Sequence, residues 1–334
     1  MATGIYEVSP DELRRIADRA SEALEPVVVR GLAAALPVVG AARRGDAELL
    51  SYLSGFARRC AVQAFHAPEP VEGKFGYGED FRSFNFHTTP TSFDAFVDGM
   101  ANHPGAPGTI AVQGVRAREA APGFDDENAL PQAPGGGEYR LWLGTRAVVA
   151  THCDPAPNIA YVACGRRRFT LFAPEEIGNL YLGPFDPVPN GTQISLADPL
   201  KPDLDRFPRF GEALRRARTA ELEPGDAIFI PTGWYHHVEA QSSVNLLVNY
   251  WWQQVGAAPS PWDALMHGFM ALRPLSPADR RVWRAMFAHY IFEDNGDPGA
   301  HLPADARGII GAATPGMVEA MRKSILRSLS GPRS

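Results

Sequence analysis

His152-Cys153-Asp154 and, farther along, Pro231-Thr232-Gly233-Trp234-Tyr235-His236-His237 are the stretches on which the reading of this chain turns. Together they offer two imidazoles and a carboxylate to one metal ion. Two neutral imidazoles and one carboxylate on one face of an octahedron hold Fe(II) and leave three positions open. The spacing suits a β-strand, where side chains at i and i+2 share a face, so His152 and Asp154 point one way and Cys153 the other. An isolated His-x-Asp arises by chance in many chains, so the flanking sequence must carry the reading.

The flanks read as strands. Arg140-Leu141-Trp142-Leu143 and Ala147 to Thr151 precede the first motif, and Asn158 to Cys164 with Phe169 to Phe172 follow it, in the pattern of a hairpin turning at Gly165. Glu223-Pro224-Gly225-Asp226 is a turn, and the apolar run Ala227-Ile228-Phe229-Ile230-Pro231 leads to the histidine pair. Both ligand segments are therefore expected on strands.

From about Glu138 to Trp252 the chain resembles the cupin-like branch of the JmjC proteins, the Fe(II)- and 2-oxoglutarate-dependent oxygenases that include the asparaginyl hydroxylase acting on hypoxia-inducible factor. Four segments carry the resemblance: Thr151-His152-Cys153-Asp154 with Asn158; Gly165 to Phe172; Pro224-Gly225-Asp226 through His237; and Val248-Asn249-Tyr250-Trp251-Trp252. The resemblance implies a mainly β fold with helical additions, a double-stranded β-helix or jelly-roll core followed by a C-terminal helical region. It also implies a 2-oxoglutarate-dependent dioxygenase, a hydroxylase by default, releasing succinate and carbon dioxide.

Roles carry over by position. His152, Asp154 and His236 match the family's metal ligands, the last being the histidine directly after the aromatic pair. His237 would alternate to the other strand face and serve as a packing or hydrogen-bonded neighbour. Arg167 matches the basic residue that binds the far carboxylate of 2-oxoglutarate, where related hydroxylases commonly carry Lys; its planar fork can hold both oxygens at once. Asn158 and Asn249 match positions beside the iron and the chelating end of the cosubstrate. On the strand Thr109 to Gln113, Ala111 stands where relatives place a tyrosine, and Gln113 keeps a polar group toward cosubstrate or substrate. Val149 replaces a threonine near the first ligand. Two other readings stay open: a metal-dependent cupin enzyme that does not use 2-oxoglutarate, and a non-catalytic cupin binding protein.

Whole-chain properties agree with an enzyme of one enlarged β domain, residues 1–255, followed by a helical region, residues 256–334. The formal net charge of −6 disfavours nucleic-acid substrates, because phosphate binders usually carry a basic excess. The hydroxyl acceptor expected is a peptide or protein side chain or a small molecule. No apolar run reaches the ~18 residues of a membrane span and no signal-peptide pattern opens the chain, so the expected compartment is the cytoplasm. Cys60, Cys153 and Cys164 are an odd, scattered set that argues against a disulfide framework or a cysteine zinc site.

Toward the N-terminus, Ser9-Pro10-Asp11-Glu12 starts a helix and residues 47–58 form another. Phe75, Tyr77, Phe81, Phe84 and Phe86 form an aromatic cluster, readable as core or as a pocket wall. Residues 117–138 read as a long loop and 178–215 as an insertion with a short helix near 208–218. Beyond Pro261 three helical stripes follow, which in resembling hydroxylases mediate dimerisation and would equally serve to cover the β-core, so a homodimer and a covering role both stay open. His66, His87, His103, His267, His289 and His301 read as structural or surface residues.

Overall fold

Period-two alternation in the central strands puts leucine, isoleucine and tyrosine on one face and a mixed polar and apolar set on the other, and two sheets result. The computed structural model describes residues 3–19, 25–102, 108–252 and 261–330; His103 and the expected boundary at 255/256 lie outside them. The larger sheet runs in the order Tyr6–Glu7, Val27–Val29, Ala227–Ile230, Asn158–Cys164, Asn245–Trp251, Glu138–Gly144, Thr109–Arg116, Ala61–Ala67, His87–Ser92. The smaller runs Thr3–Gly4, Arg218–Leu222, Arg167–Phe172, Tyr235–Ala240, Ala147–Cys153, Lys74–Phe75.

Between Glu138 and Trp251 the chain changes sheet at every connection except the one from Arg167–Phe172 to Arg218–Leu222. That alternation is the jelly-roll core, with helices added around it. Ala160, Val162, Ile228, Ile230 and Leu247 of one sheet meet Phe169, Leu171 and Val238 of the other. On the outer face of the larger sheet, Leu141, Leu143, Ile159, Tyr161 and Val248 pack against Leu13, Val38, Leu49, Leu53, Phe93 and Phe124, most of them from the flanking helices. Asn158–Cys164 is buried along its whole length because both its faces are covered.

The segment expected to be a hairpin at Gly165 is not one. Asn158–Cys164 pairs with Ala227–Ile230 and Asn245–Trp251, whereas Arg167–Phe172 pairs with Arg218–Leu222 and Tyr235–Ala240. Gly165, at φ 78°, is the corner where the chain steps between sheets, and a Cβ there would collide with Asn245 Oδ1. Two apolar runs around a glycine do not distinguish a turn within a sheet from a corner between sheets.

Residues 117–138 are also more ordered than a loop reading allows. Ala117–Ala120 and Phe124–Asn128 are short helices whose Ala117, Ala120, Phe124 and Asn128 are buried. The 178–215 insertion contains the expected helix, Phe210–Arg216, and has its own apolar cluster in which Leu180, Phe207 and Phe210 cover Phe172 and Tyr235. At the N-terminus, Ser9 caps Pro10–Asp18 by accepting the Glu12 N–H at 3.2 Å.

The chain divides into two compact units, Met1–Gln254 and Val255–Ser334. The second contains the helices Pro261–Ala271, Pro277–Tyr290 and Pro315–Ser330, none with a buried residue. Among the described residues no helix is long and apolar enough to cross a membrane.

Candidate metal centre

The antiparallel register of Tyr235–Ala240 on Ala147–Cys153 sets His236 directly opposite His152. Directly paired residues project from the same face of a sheet, so the two imidazoles converge by register alone. Their ring centroids lie 4.2 Å apart. Asp154, just past the end of its strand, completes the group: Oδ1 is 3.9 Å from His152 Nε2 and Oδ2 is 3.7 Å from His236 Nε2. The three ligand atoms all lie within 4.8 Å of one another.

Just beyond this pair the register slips, so Ala150 and Thr151 together oppose His237. Such a bulge re-aims side chains. Val149 and His152 are three residues apart and would face opposite ways in a regular strand, yet both line one cavity here.

Each histidine is oriented through its other nitrogen. His152 Nδ1 lies 2.8 Å from Ala150 O and His236 Nδ1 lies 3.2 Å from Trp234 O. A carbonyl accepts only from N–H, so Nδ1 carries a proton in each ring and Nε2 is the nitrogen that faces Asp154. Burial, followed by the neighbouring His236, pushes the His152 pKa down to about 4, which keeps the ring neutral and able to ligate. The two imidazoles and one carboxylate, at this spacing, fit a divalent ion shared by all three side chains.

His237 is directed elsewhere. It is 1% exposed, pairs across the sheet with Thr170, and neither ring nitrogen forms a hydrogen bond among the described residues. Burial lowers its pKa to about 4, so it packs as a neutral ring.

Asn158 donates from Nδ2 to Asp154 Oδ2 at 3.0 Å, and Asn249 Nδ2 reaches Asn158 Oδ1 at 3.4 Å. Both asparagines stand on the inner face of the larger sheet, across the core from the histidines. Asn249 shares the inner cavity with His152, Asp154, His236, Trp142 and Arg167.

Arg167 is the electrostatic oddity of the interior. It is 6% exposed, its hydrogen bond among the described residues is Nη2 to Trp142 O at 3.5 Å, and Nε has no partner. Burial pulls its pKa down to about 10, which leaves it charged at neutral pH. A buried cation with no carboxylate partner is costly. Arg167 lines the same cavity as the triad, where it would suit an anionic ligand.

A second, outer pocket of about 390 Å³ opens beside His152 and Asp154. Gln113 lines it, as do Phe75 and Phe86 from the aromatic cluster and Pro189, Thr192 and Ile194 from the 178–215 insertion. Ala111 instead packs in an apolar cluster with Phe65 and Phe75. Arg140, Trp142, Trp251 and Phe65 also face the outer pocket and were not singled out by sequence reasoning. The signal was present for two of them: Leu141 and Leu143 are core residues, so Arg140 and Trp142 must face the other way.

A family profile described as a cupin-like domain matches residues 14–258. Among curated proteins, a stretch of 115 residues is 33% identical to a protein named lysine-specific demethylase JMJ31 of Arabidopsis thaliana, covering 34% of this chain and 20% of that protein. Human HSPB1-associated protein 1 is 36% identical over 118 residues, 35% of this chain and 24% of the relative. The chicken protein named tRNA wybutosine-synthesizing protein 5 is 32% identical over 107 residues, 32% and 30% of the two chains. These matches span under a third of each relative's own length.

Proposed function

The chain belongs to the cupin-like domain family, and on that premise we propose that it is an Fe(II)- and 2-oxoglutarate-dependent dioxygenase that hydroxylates a peptide or protein side chain or a small molecule, releasing succinate and carbon dioxide. The observation that carries this reading is Arg167, a buried guanidinium without an anionic partner among the described residues, in the same cavity as His152, Asp154 and His236. A metal-dependent cupin with no dicarboxylate cosubstrate has no use for that charge. The narrower likeness to the asparaginyl hydroxylase is proposed on the four sequence segments that carry it.

In this reading His152, Asp154 and His236 hold the iron, and Arg167 binds the far carboxylate of 2-oxoglutarate. Iron and cosubstrate together supply the oxygen activation that protein side chains lack. The chain's own residues do the positioning. The carbonyls of Ala150 and Trp234 fix the imidazole tautomers, and Asn158 fixes the carboxylate. Trp142, Phe169, Ile230, Val238 and Leu247 wall the inner cavity and exclude water from around the Arg167 charge, which strengthens its hold on an anion. Gln113 faces the outer pocket, where the substrate would lie beside the metal.

The relatives' names point to a lysine demethylase in one case and a tRNA-modifying protein in another, so substrate class does not transfer with the family. With a net charge of −6 we favour a peptide, protein or small molecule over nucleic acid. We likewise propose a cytoplasmic location and a homodimer.

The test is anaerobic addition of Fe(II), then 2-oxoglutarate, while the visible spectrum is recorded, with Asp154→Ala as control. A weak metal-to-ligand charge-transfer band absent from the control is expected. Bound iron with no band and no 2-oxoglutarate affinity would sink the cosubstrate assignment, and absence of iron binding would sink the metal assignment.

A further inference from the structure

The outer pocket is unevenly lined. Phe65, Phe75 and Phe86 meet ring to ring with centroids 5.5–5.8 Å apart and form an apolar wall. Elsewhere in the lining, the Arg140 guanidinium lies over the Trp251 ring, 4.7 Å from its centroid. Register explains the pairing: Trp251 lies opposite Glu138 on the neighbouring strand, and Arg140 is two residues on from Glu138, on the same face.

Arg140 is held but not saturated. Nη1 donates to Gly114 O at 3.4 Å and Nη2 pairs with Glu138, so each terminal nitrogen keeps a second N–H for a ligand, while Nε is buried and without a partner among the described residues. Glu138 stands outside the pocket lining and also pairs with Arg116 at 3.6 Å. Among the described lining residues Arg140 is the one arginine or lysine, and the one carboxylate, Asp154, is engaged by Asn158 and faces the two histidines.

This distribution discriminates between ligands by charge. An ammonium in the pocket would meet Arg140 with no carboxylate free to receive it, whereas a carboxylate would gain charge-assisted hydrogen bonds from a planar donor that stacking on Trp251 already orients. The phenylalanine wall rewards an apolar body. We infer that the outer pocket selects a substrate that joins a carboxylate to an apolar body, the carboxylate seated at Arg140 and the body against Phe65, Phe75 and Phe86. The inference rests on the proposed reading of the metal centre for the statement that this ligand is the substrate. The selectivity itself rests on the pocket.

The test uses three probes that differ only in their end group: 5-phenylpentanoate, 5-phenylpentanamide and 5-phenylpentylamine. Each is titrated into the full chain loaded with Mn(II) and 2-oxoglutarate under nitrogen, so that the inner cavity is filled, and binding is read by calorimetry and by tryptophan fluorescence. The acid should bind at least about tenfold tighter than the amide or the amine, the worth of one charge-assisted contact. Arg140→Leu should remove that preference without changing 2-oxoglutarate affinity, and Arg140→Lys should restore part of it. The lysine variant also serves if the leucine variant fails to fold by circular dichroism. Phe75→Ala should weaken all three probes alike. Equal binding of amine and acid, a preference that survives Arg140→Leu, binding of none of the probes, or a preference abolished only by Arg167→Leu would each overturn the assignment. A protein that binds no 2-oxoglutarate yet prefers the acid through Arg140 keeps this inference and loses the proposed activity.

Discussion

Asn158 Nδ2 donates to Asp154 Oδ2 at 3.0 Å, so the carboxylate facing both histidines is fixed by a residue of the opposite sheet. This bond crosses the jelly roll at the candidate metal centre. A ligand carboxylate with a free rotor must be ordered when metal binds, and a hydrogen bond from a buried amide does that ordering in advance. Asn158→Ala is expected to weaken Mn(II) or Fe(II) binding by about tenfold to a hundredfold with the fold retained. Competition against a chelator of known affinity measures this, and an unchanged metal affinity would remove the orienting role.

The histidine pair predicts a contrast between neighbours. His152→Ala and His236→Ala should each abolish metal binding and turnover, because each removes one of three donors. His237→Ala should keep metal stoichiometry while lowering Tm, since truncating a ring that is 1% exposed leaves a cavity costing about 2–4 kcal/mol. Metal analysis of the purified variants decides it: equal metal loss in His236→Ala and His237→Ala would reverse the assignment of the distal ligand.

Much of this arrangement was legible in the sequence because it follows from period and register. His152 and Asp154 share a face at i and i+2, and the aromatic pair before His236 marks the strand that brings it opposite His152. What stayed hidden depends on contacts far apart in the chain. The corner at Gly165 has the same residue pattern as a hairpin turn, and only pairing with Ala227–Ile230 and Tyr235–Ala240 separates the two strands into different sheets. The bulge at Ala150 and Thr151 leaves no mark in the residue types, so the shared orientation of Val149 and His152 could not be read from alternation. Phe65 joins Phe75 and Phe86 only through tertiary packing, and the 117–138 segment hides two short helices behind its glycines and prolines.

The C-terminal unit leads to a prediction about assembly. On Pro277–Tyr290, Val282, Trp283, Met286, Phe287 and Tyr290 are all exposed, as are Ile291 and Phe292 just beyond. Val282, Met286 and Tyr290 recur at helical spacing, so they form a stripe, and apolar patches of this kind mark association surfaces. With a second copy as the proposed occupant, the wild-type protein should elute as a dimer by size-exclusion chromatography with light scattering. Trp283→Glu combined with Phe287→Glu should convert it to a monomer with unchanged metal binding. A wild-type monomer at tens of micromolar would discard the dimer.

Arg167 should reveal itself through opposite effects on stability and binding. Its guanidinium is buried beside Trp142, Phe169 and Leu247 without an ion-pair partner among the described residues, so the cosubstrate-free protein bears a desolvation cost. An unpaired buried ion carries an effective desolvation penalty of several kcal/mol, which an apolar side chain of similar length does not. Arg167→Met should therefore hold or raise Tm in the absence of 2-oxoglutarate. The same change should weaken 2-oxoglutarate by roughly 30-fold or more, because loss of one partner of a buried charge pair costs about 2–5 kcal/mol. Thermal scans with and without 2-oxoglutarate, at fixed Mn(II) under nitrogen, measure both quantities in one experiment. A lower Tm together with unchanged cosubstrate affinity would mean that Arg167 holds the fold together rather than an anion.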